Sequence, residues 1–245
     1  SKRKSQKQIP LEEVENRNEQ FEYISSLKQS FRLDDNPVLS IDTKKKEHIG
    51  NFYRDGKIYT NETIKVYDHD YLRYAEGKVI SHGIYDVSEN IGYITIGKSM
   101  DTSEFMIDNL ENYWLNEISK NYSNSDTLLI LCEGGGSNSS RGFQLKKRLQ
   151  SLSNKLKIKI KVAHYPPHCS KWNPIEHKLF CHVHRAMQGV VFKDYQIVKE
   201  LIQNTRTTSG LQVKVNINSK VYSKSEKLQK KEIETLNIIP DSFLP

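Results

Sequence analysis

The sequence predicts an α/β fold, a mixed five-stranded sheet flanked by helices, with an extra hairpin and a C-terminal extension. Strand patterns joined by short turns fill residues 37–98, and strands and helices alternate from residue 101 onwards. Alternation of this kind places helices on the faces of a partly parallel sheet. The run TLLILC at 127–132 is continuously apolar, which is typical of a strand that is covered on both faces.

The first half of the chain supplies one helix and the antiparallel part of the sheet. Residues 1–10 are basic and polar and are expected to be disordered. Apolar residues at helical spacing predict a helix over 11–31, which the breaker DDNP ends. The predicted strands are PVLSID at 37–42, a hairpin in which Asp55-Gly56 joins NFYR to KIYT, VISHGIYDV at 79–87 and IGYITIGK at 91–98.

The second half supplies the crossovers. A capping box at Asp101–Glu104 opens a helix, and Glu133 ends the apolar strand before a glycine turn. The elements predicted after that turn are a helix from Ser137 or Asn138 to Leu156, the strand IKIKVAHY at 158–165, a helix from Pro174, a helix near 193–204, and the hairpin LQVKVNINSKVY at 211–222. Ribonuclease-H-like folds have this order of elements.

Composition narrows the class of protein. The 245 residues carry a net charge of +7 with a pI near 9.1, which suits a nucleic-acid partner. Three cysteines, an odd number in a chain of this size, indicate a reducing compartment. The chain has no run of 18 apolar residues, so no membrane span is predicted and a cytoplasmic location is expected.

Glu176 allows two interpretations. Asn173 can cap a helix whose first residue is Pro174, and Glu176 then occupies the third position, where a carboxylate can reach back to the cap. Glu176 also heads the apolar stripe formed by Leu179, Phe180, Val183 and Met187. A carboxylate on a core-facing side is costly unless something compensates it, and a metal ion is one such compensation.

Two other carboxylates are candidates to meet Glu176. Asp42 lies in an apolar strand, and Glu133 lies at the carboxyl end of another, where ligand sites of open α/β sheets gather. If these strands are parallel neighbours, both side chains point into one crevice. Three carboxylates would repel one another unless cations lie between them, and Mg²⁺ prefers oxygen ligands. Two such ions about 3.5–4 Å apart can clamp the attacking and leaving oxygens of a phosphoryl transfer.

Three segments carry a resemblance to a known family. They are SIDTKKKEHIGNF, CEGGGSNSSRGFQLKKRLQ and HYPPHCSKWNPIEHKLF. Together they resemble the DDE domain of the Rhodopirellula-type bacterial insertion-sequence transposases, a mariner-like group, over roughly residues 20–242. The resemblance implies a ribonuclease-H-like core that cuts and joins DNA with Mg²⁺ or Mn²⁺. Carried over by position, Asp42, Glu133 and Glu176 are the catalytic, metal-binding carboxylates.

The resemblance also implies partners and a division of the chain. The partners are double-stranded DNA, as element ends and as target, and a second copy of the chain in the DNA complex, in the bacterial nucleoid. The division is 1–33, a basic tail and connecting helix; 34–208, the DDE catalytic domain; and 209–245, the hairpin and polar tail. The family has aspartate where this chain has Glu133, and its N-terminal helix-turn-helix region is not in this sequence. A catalytically inactive DNA-binding remnant is therefore an alternative.

The remaining candidates each have a simpler structural interpretation. Lys44, Lys45 and Lys46 follow Asp42 and can contact DNA phosphates or be ordinary solvated charges. The same choice holds for Arg141 and Lys146. Asp86 is expected to be structural and Trp172 to pack in the core. A zinc-binding, non-catalytic DNA module is the other alternative, with His177 and Cys181 as ligands four residues apart on one helix.

Overall fold

The computed structural model of the protein describes residues 16–68, 70–134, 142–166, 169, 172–224, 232–233 and 235–241. The helices and strands, in chain order, are α1 Arg17–Leu33, β1 Val38–Thr43, β2 Glu47–Ile49, β3 Gly77–Asp86, β4 Ile91–Gly97, α2 Ser103–Asn116, β5 Thr127–Glu133, α3 Phe143–Leu156, β6 Lys159–Tyr165, a π-helical segment Glu176–Phe180, α4 Cys181–Ala186, α5 Tyr195–Gln203 and β7 Gln212–Asn218. The π-helical segment and α4 follow each other without a break and are called the site helix below.

The strands form one mixed sheet in the order β6-β5-β1-β3-β4-β7, with β2 paired to β3 beside this path. Strands β6, β5 and β1 are parallel, β3 runs antiparallel to both β1 and β4, and β7 is parallel to β4. The predicted mixed sheet flanked by helices is therefore confirmed. It has seven strands instead of five, because β2 and β7 both join it.

Helices cover both faces of the sheet. On one face, called the α2/α3 face, Met106 and Leu145 pack with Leu39, Ile41 and Ile130. The other face is called the site face. Its apolar contacts are those of the site helix and α5 with β3 and β4, and those of α1 with β1 and β5.

Two predicted hairpins are wrong. Asp55-Gly56 does turn the chain, with Gly56 at a φ of 119°, but NFYR pairs with a later segment: the N–H of Tyr53 donates to the carbonyl of Tyr67 at 2.8 Å. In the C-terminal segment only β7 forms, and residues 219–224 contain no strand. The open edge of β4 offers β7 seven residue pairs, and Val213 also packs into the core cluster that includes α5, so pairing with the sheet replaces pairing with the chain's own continuation.

Helix ends differ from the prediction in smaller ways. α1 begins at Arg17, and the earlier part of the predicted helix, like residues 1–10, lies outside the described residues. α2 is capped by Thr102, whose Oγ1 accepts a hydrogen bond from the N–H of Phe105 at 3.1 Å, instead of by Asp101. α3 begins at Phe143, and the start predicted at 137 or 138 lies outside the described residues.

The segments on either side of 34–208 also pack on the central sheet. Ile24 of α1 contacts the cluster that contains Val38 and Leu131, and β7 completes one edge. The three-part division of the chain stays a prediction. No helix in the described part of the chain is both long and apolar enough to cross a membrane.

Candidate active site at the carboxyl ends of β1 and β5

Asp42 and Glu133 lie on neighbouring parallel strands, which is the condition under which the sequence predicts both side chains to point into one crevice. β1 pairs with β5 through Ser40 and Leu131, and this register continued by two residues sets Asp42 level with Glu133. Side chains alternate between the faces of a strand. Ile41 belongs to the cluster on the α2/α3 face, and so does Cys132. Asp42 and Glu133 therefore both point to the site face.

The site helix brings Glu176 to that same face. Pro174 and Ile175 are helical and Glu176 opens a π-helical turn, a rare conformation that is frequent at functional sites. The prediction that the Asn173 side chain caps this helix is wrong. The Asn173 side chain accepts a hydrogen bond from Ser40 of β1, and only the main-chain carbonyl of Asn173 receives the N–H of Glu176, at 3.0 Å.

Two glycines let the site helix lie close against the sheet. Gly83 is the β3 residue opposite Asp42, and a Cβ added there would lie 2.6 Å from the ring of Phe180. Gly92 of β4 likewise leaves room for the site helix, because a Cβ added there would lie 2.4 Å from the Leu179 side chain. Carbon atoms that are not bonded to each other do not lie this close, so a larger residue at either position would displace the Phe180 or Leu179 side chain. The glycines thus let these side chains, and the helix that carries Glu176, lie directly on the sheet.

The electrostatics of Asp42 are those of a crowded acid. Burial raises the pKa of Asp42 to about 7, against the hydrogen bond from the Thr43 N–H at 2.8 Å, which lowers it. The negative charges of Glu133, Glu176 and Asp101 raise the pKa further. Like charges this close disfavour simultaneous ionisation unless a cation compensates them.

Asp101 is a fourth acid of the site that sequence reasoning missed. It follows β4, and its Oδ1 accepts a hydrogen bond from Thr43 Oγ1 at 3.2 Å. The sequence offered only a helix-capping role for it. The antiparallel pairing of β1 with β3 and of β3 with β4 brings the end of β4 near the end of β1, and this could be inferred only once the strand order was known.

The other two carboxylates are consistent with cation binding. Burial raises the pKa of Glu133, and Oε1 of Glu133 is buried without a hydrogen-bond partner among the described residues. Burial and the charge of Glu133 raise the pKa of Glu176, whereas the positive charge of Lys44 lowers it. An unpartnered buried carboxylate oxygen beside other acids fits a hard divalent cation, which takes oxygen ligands.

The carboxylates do not form a closed cage. Among the residues that the structure describes, no three Asp, Glu, His or Cys side chains are arranged to bind a single ion together. Mg²⁺ usually keeps several waters and uses only one or two protein carboxylates. The donor set therefore fits ions that share their coordination between protein, water and substrate.

Basic residues line a groove beside Glu176. A cavity of about 350 Å³ is lined by Lys44 and Lys45 on one side and by Glu176, Phe180, Cys181 and His184 of the site helix on the other. Nζ of Lys44 lies 2.5 Å from Oε1 of Glu47, so its charge is already paired. Lys45 and Lys46 are exposed. Of the predicted lysine run, the two exposed residues are thus the better candidates for DNA phosphates.

The remaining candidates lie elsewhere. Lys146 belongs to α3 on the opposite face of the sheet, where its Nζ lies 5.4 Å from the centroid of the Phe143 ring. Arg141 lies outside the described residues. The Sγ of Cys181 donates to the main-chain carbonyl of His177 at 3.1 Å, and within the described residues no metal-ligand group includes either.

For Trp172 and Asp86 the sequence predicts structural roles. The expectation of core packing for Trp172 is wrong: the residue is 53% exposed, and its ring packs edge-to-face with that of Phe21, with the two ring centroids 5.7 Å apart. Asp86 is fully buried, and both of its oxygens accept from the hydroxyl of Tyr122, at 2.9 and 3.0 Å. These contacts agree with the structural role expected for Asp86.

Comparison with solved structures identifies the fold. The chain is similar to a Mos1 transposase paired-end complex with left transposon end, with a TM-score of 0.54 and 16% identity over 82% of this chain and 57% of that one. It is equally similar to a pre-cleavage Mos1 transpososome, with a TM-score of 0.54 and 14% identity over 82% of this chain and 58% of that one. The chain therefore spans less than two thirds of the transposase chains that it matches.

The family follows from the sequence comparison. Curated protein sequences give no match. The model of the Rhodopirellula transposase DDE domain matches residues 1–245, which is the whole chain. The chain belongs to the family of Rhodopirellula transposase DDE domains.

Proposed function

We propose that this chain is the catalytic domain of a transposase that hydrolyses DNA phosphodiesters with Mg²⁺ or Mn²⁺ and joins the freed 3′-hydroxyl to target DNA. The observation that carries the proposal is the register of β1 and β5. It sets Asp42 level with Glu133 on the face that the site helix covers, where burial, together with the charges of Glu133 and Glu176, raises the pKa of Asp42 to about 7. Such a cluster of acids is stabilised by divalent cations.

Each residue has a role in this proposal. Asp42, Glu133 and Glu176 would hold the metal ions, and Asp101 adds negative charge beside Asp42. When bound, the ions would activate water or a 3′-hydroxyl and stabilise the departing oxygen. The glycine at position 83 keeps the site helix against the sheet, so that its carboxylate stays beside the other two. Core packing on both faces fixes the strands that carry the acids.

DNA is the proposed substrate and partner. The Mos1 structures similar to this chain include complexes with a transposon end and a strand transfer complex. Lys45 and Lys46 are exposed beside the groove and can hold phosphates, a contact that is independent of sequence and weakened by salt. A second copy of the chain in the DNA complex and a place in the bacterial nucleoid are part of the proposal.

Metal linkage tests the proposal without any knowledge of the element ends. A ligand that binds only the folded site stabilises the protein, by about 2.7 kcal/mol at 100 times its dissociation constant. We expect Mg²⁺ and Mn²⁺ to raise the melting temperature of the wild-type chain, and Asp42→Ala to abolish the rise. An equal rise in both proteins would contradict the assignment. Zinc that copurifies with the wild type and is lost in Cys181→Ser would favour the zinc module.

A second candidate, an inactive DNA-binding remnant, is favoured by one observation: Glu133 stands where the family pattern has aspartate. Glutamate is one methylene longer, and Mg²⁺ tolerates little deviation from octahedral geometry. The remnant would bind DNA through the same lysines without cutting it. Reversion of residue 133, described in the Discussion, separates the two candidates.

A further inference from the structure

A single hydroxyl connects the strand that carries Asp42 to the helix that carries Glu176. The main-chain N–H of Ile175 donates to Oγ of Ser40 at 3.0 Å, and the Ser40 hydroxyl in turn donates to Oδ1 of Asn173. Ser40, Asn173 and Ile175 are all fully buried. The three groups form one chain of hydrogen bonds, called the clasp below, in which Ser40 is both acceptor and donor.

The clasp lies immediately beside the proposed catalytic residues. Ser40 precedes Asp42 by two residues on the same face of β1, and Ile175 directly precedes Glu176. The first N–H groups of a helix have no partner within the helix. A residue next in sequence usually supplies the cap, yet here the N–H of Ile175 is satisfied from a strand more than a hundred residues earlier in the chain.

A cap taken from a distant strand fixes position as well as satisfying a donor. A local cap would travel with the helix if the helix slid or tilted on the sheet, whereas the clasp breaks as soon as Ile175 moves relative to β1. Breaking it would leave polar groups of Ser40 and Ile175 unsatisfied in a dry interior, which is costly for each group. The packing at Gly83 limits approach of the helix, and the clasp limits its sliding.

We infer that Ser40 and Asn173 are positioning residues that hold Glu176 in register with Asp42 for metal binding. The inference rests on the proposed function, because it assigns Glu176 to the metal site. Groups that orient a metal ligand from behind typically change metal affinity by about 10–100-fold when removed. A clasp that served folding alone would change stability and leave metal affinity as it was.

Calorimetric titration of the folded 245-residue chain with Mn²⁺ tests the inference. We expect Ser40→Ala to weaken Mn²⁺ binding about tenfold in the wild-type background and by less than twofold in Glu176→Gln, because the clasp acts through Glu176. Tyr122→Phe is the matched control. It removes buried hydrogen bonds to Asp86 on the α2/α3 face, so it should lower the melting temperature and keep the Mn²⁺ affinity.

Asn173→Ala gives an independent reading. It removes the acceptor of the Ser40 hydroxyl and should weaken Mn²⁺ binding in the same direction, and the double variant with Ser40→Ala should be no weaker than Ser40→Ala alone, because residues of one network are not additive. If Ser40→Ala does not fold, Asn173→Ala with the same Glu176→Gln comparison decides. Wild-type Mn²⁺ affinity in the folded clasp variants would overturn the inference. If instead Glu176→Gln itself keeps full affinity, the proposed metal site is wrong.

Discussion

Asp42 and Asp86 are the same residue type on neighbouring strands of one sheet, and their surroundings differ in kind. Asp86 is surrounded by donors: the hydroxyl of Tyr122 and the N–H groups of Ser88 and Glu89, at 2.9–3.1 Å. Asp42 receives one N–H, from Thr43, and otherwise faces acids. Burial raises the pKa of both. The lesson is that hydrogen-bond donors, more than burial, distinguish the structural carboxylate Asp86 from Asp42, which is proposed to bind a metal ion.

The two faces of the sheet differ in the same way in how they surround their acids. The α2/α3 face completes the hydrogen bonding of its buried acid and serves stability. The site face leaves Oε1 of Glu133 without a partner among the described residues and places acids beside one another, at the expense of stability. A protein retains such an arrangement where a ligand supplies the missing charge.

The sharpest test of this difference replaces each aspartate by asparagine. Asp42→Asn should lower Mg²⁺-dependent nicking of supercoiled plasmid by about 10³-fold, because it removes a charge from the proposed metal site. Asp86→Asn should leave nicking by the folded fraction within about twofold and lower the free energy of unfolding by about 2 kcal/mol, because it weakens charged hydrogen bonds.

Both effects are measurable on the same preparations, by gel assay and by urea unfolding. The salt dependence of nicking should be the same in the wild type and in Asp86→Asn, because this substitution does not alter the exposed lysines. Loss of nicking in a well-folded Asp86→Asn protein would show that the contrast between the two acids is drawn wrongly.

The next test moves the site helix without touching an acid. Gly83→Ala would place a Cβ 2.6 Å from the Phe180 ring and close to Ile175 as well, so we expect the helix that carries both side chains to shift. A shift of about 1 Å can cost on the order of 10²-fold in rate. Gly97→Ala is the matched change on the α2/α3 face, where a Cβ would lie 2.7 Å from Phe105. Both should lower stability by about 1–3 kcal/mol through overpacking, and only Gly83→Ala should lose nicking activity. Equal activity losses would mean that stability alone is being measured.

The pH dependence of the free energy of unfolding tests the surroundings of Asp42 separately from nicking activity. The carboxyl of Asp42 has a pKa of about 7 in the folded chain and an ordinary value of 3.8. Between these values the folded chain holds a proton on Asp42 that the unfolded chain has released, so the contribution of Asp42 to folding stability is full below pH 4 and is lost as pH rises to 7.

The fall attributable to Asp42 should be roughly 2 kcal/mol, about half of what the shift alone implies, because water reaches the half-buried carboxyl. Urea unfolding with a chelator present measures it, and Asp42→Asn should remove this part of the slope. Saturating Mg²⁺ should reduce it as well, since the ion favours the ionised form. A slope that is identical in Asp42→Asn would contradict the prediction.

The smallest expected effect is that of Glu133→Asp. Shortening the side chain should leave folding intact, because residue 133 ends its strand, and should raise Mg²⁺-dependent nicking about tenfold if the longer carboxylate is misplaced by a fraction of an ångström. Mn²⁺, which is more tolerant of geometry, should narrow the gap.

The outcome of that assay is informative in each direction. Equal nicking by both proteins would show that the backbone has adjusted to Glu133 and that the inactive-remnant candidate has lost its support. Greater activity with Glu133 than with aspartate would show that the second carboxylate has been assigned wrongly.

The central strands and most helices were predictable, because the spacing of apolar residues and the turn-forming residues between elements are local properties of the sequence. TLLILC gave β5 to within one residue, and IGYITIGK gave β4. Asp42 and Glu133 were chosen because ligand sites gather at strand ends, whereas the parallel pairing of their strands was only assumed and comes from the structure. Glu176 was found because a carboxylate at the head of an apolar stripe is a local anomaly.

What could not be predicted depends on partners distant in the chain. The sequence LQVKVNINSKVY reads as a hairpin, and only the free edge of β4 explains why β7 pairs there. Asp101 reads as a cap, and only the strand order shows that it lies near Asp42. Asn173 reads as a cap too, and no local pattern reveals that Ser40 would take its place.

The parallel pairing of β1 with β5 has a consequence for folding order. The three acids come from segments far apart in the chain, so the site depends on contacts that form late, after loop-closure entropy has been overcome. A nascent chain cannot assemble the site before residue 176 has emerged from the ribosome. Any fragment that stops earlier keeps Asp42 and Glu133 and lacks Glu176, so we expect the proposed ability to cut DNA to appear only after residue 176 has been added, when strands β1 to β6 have been synthesised.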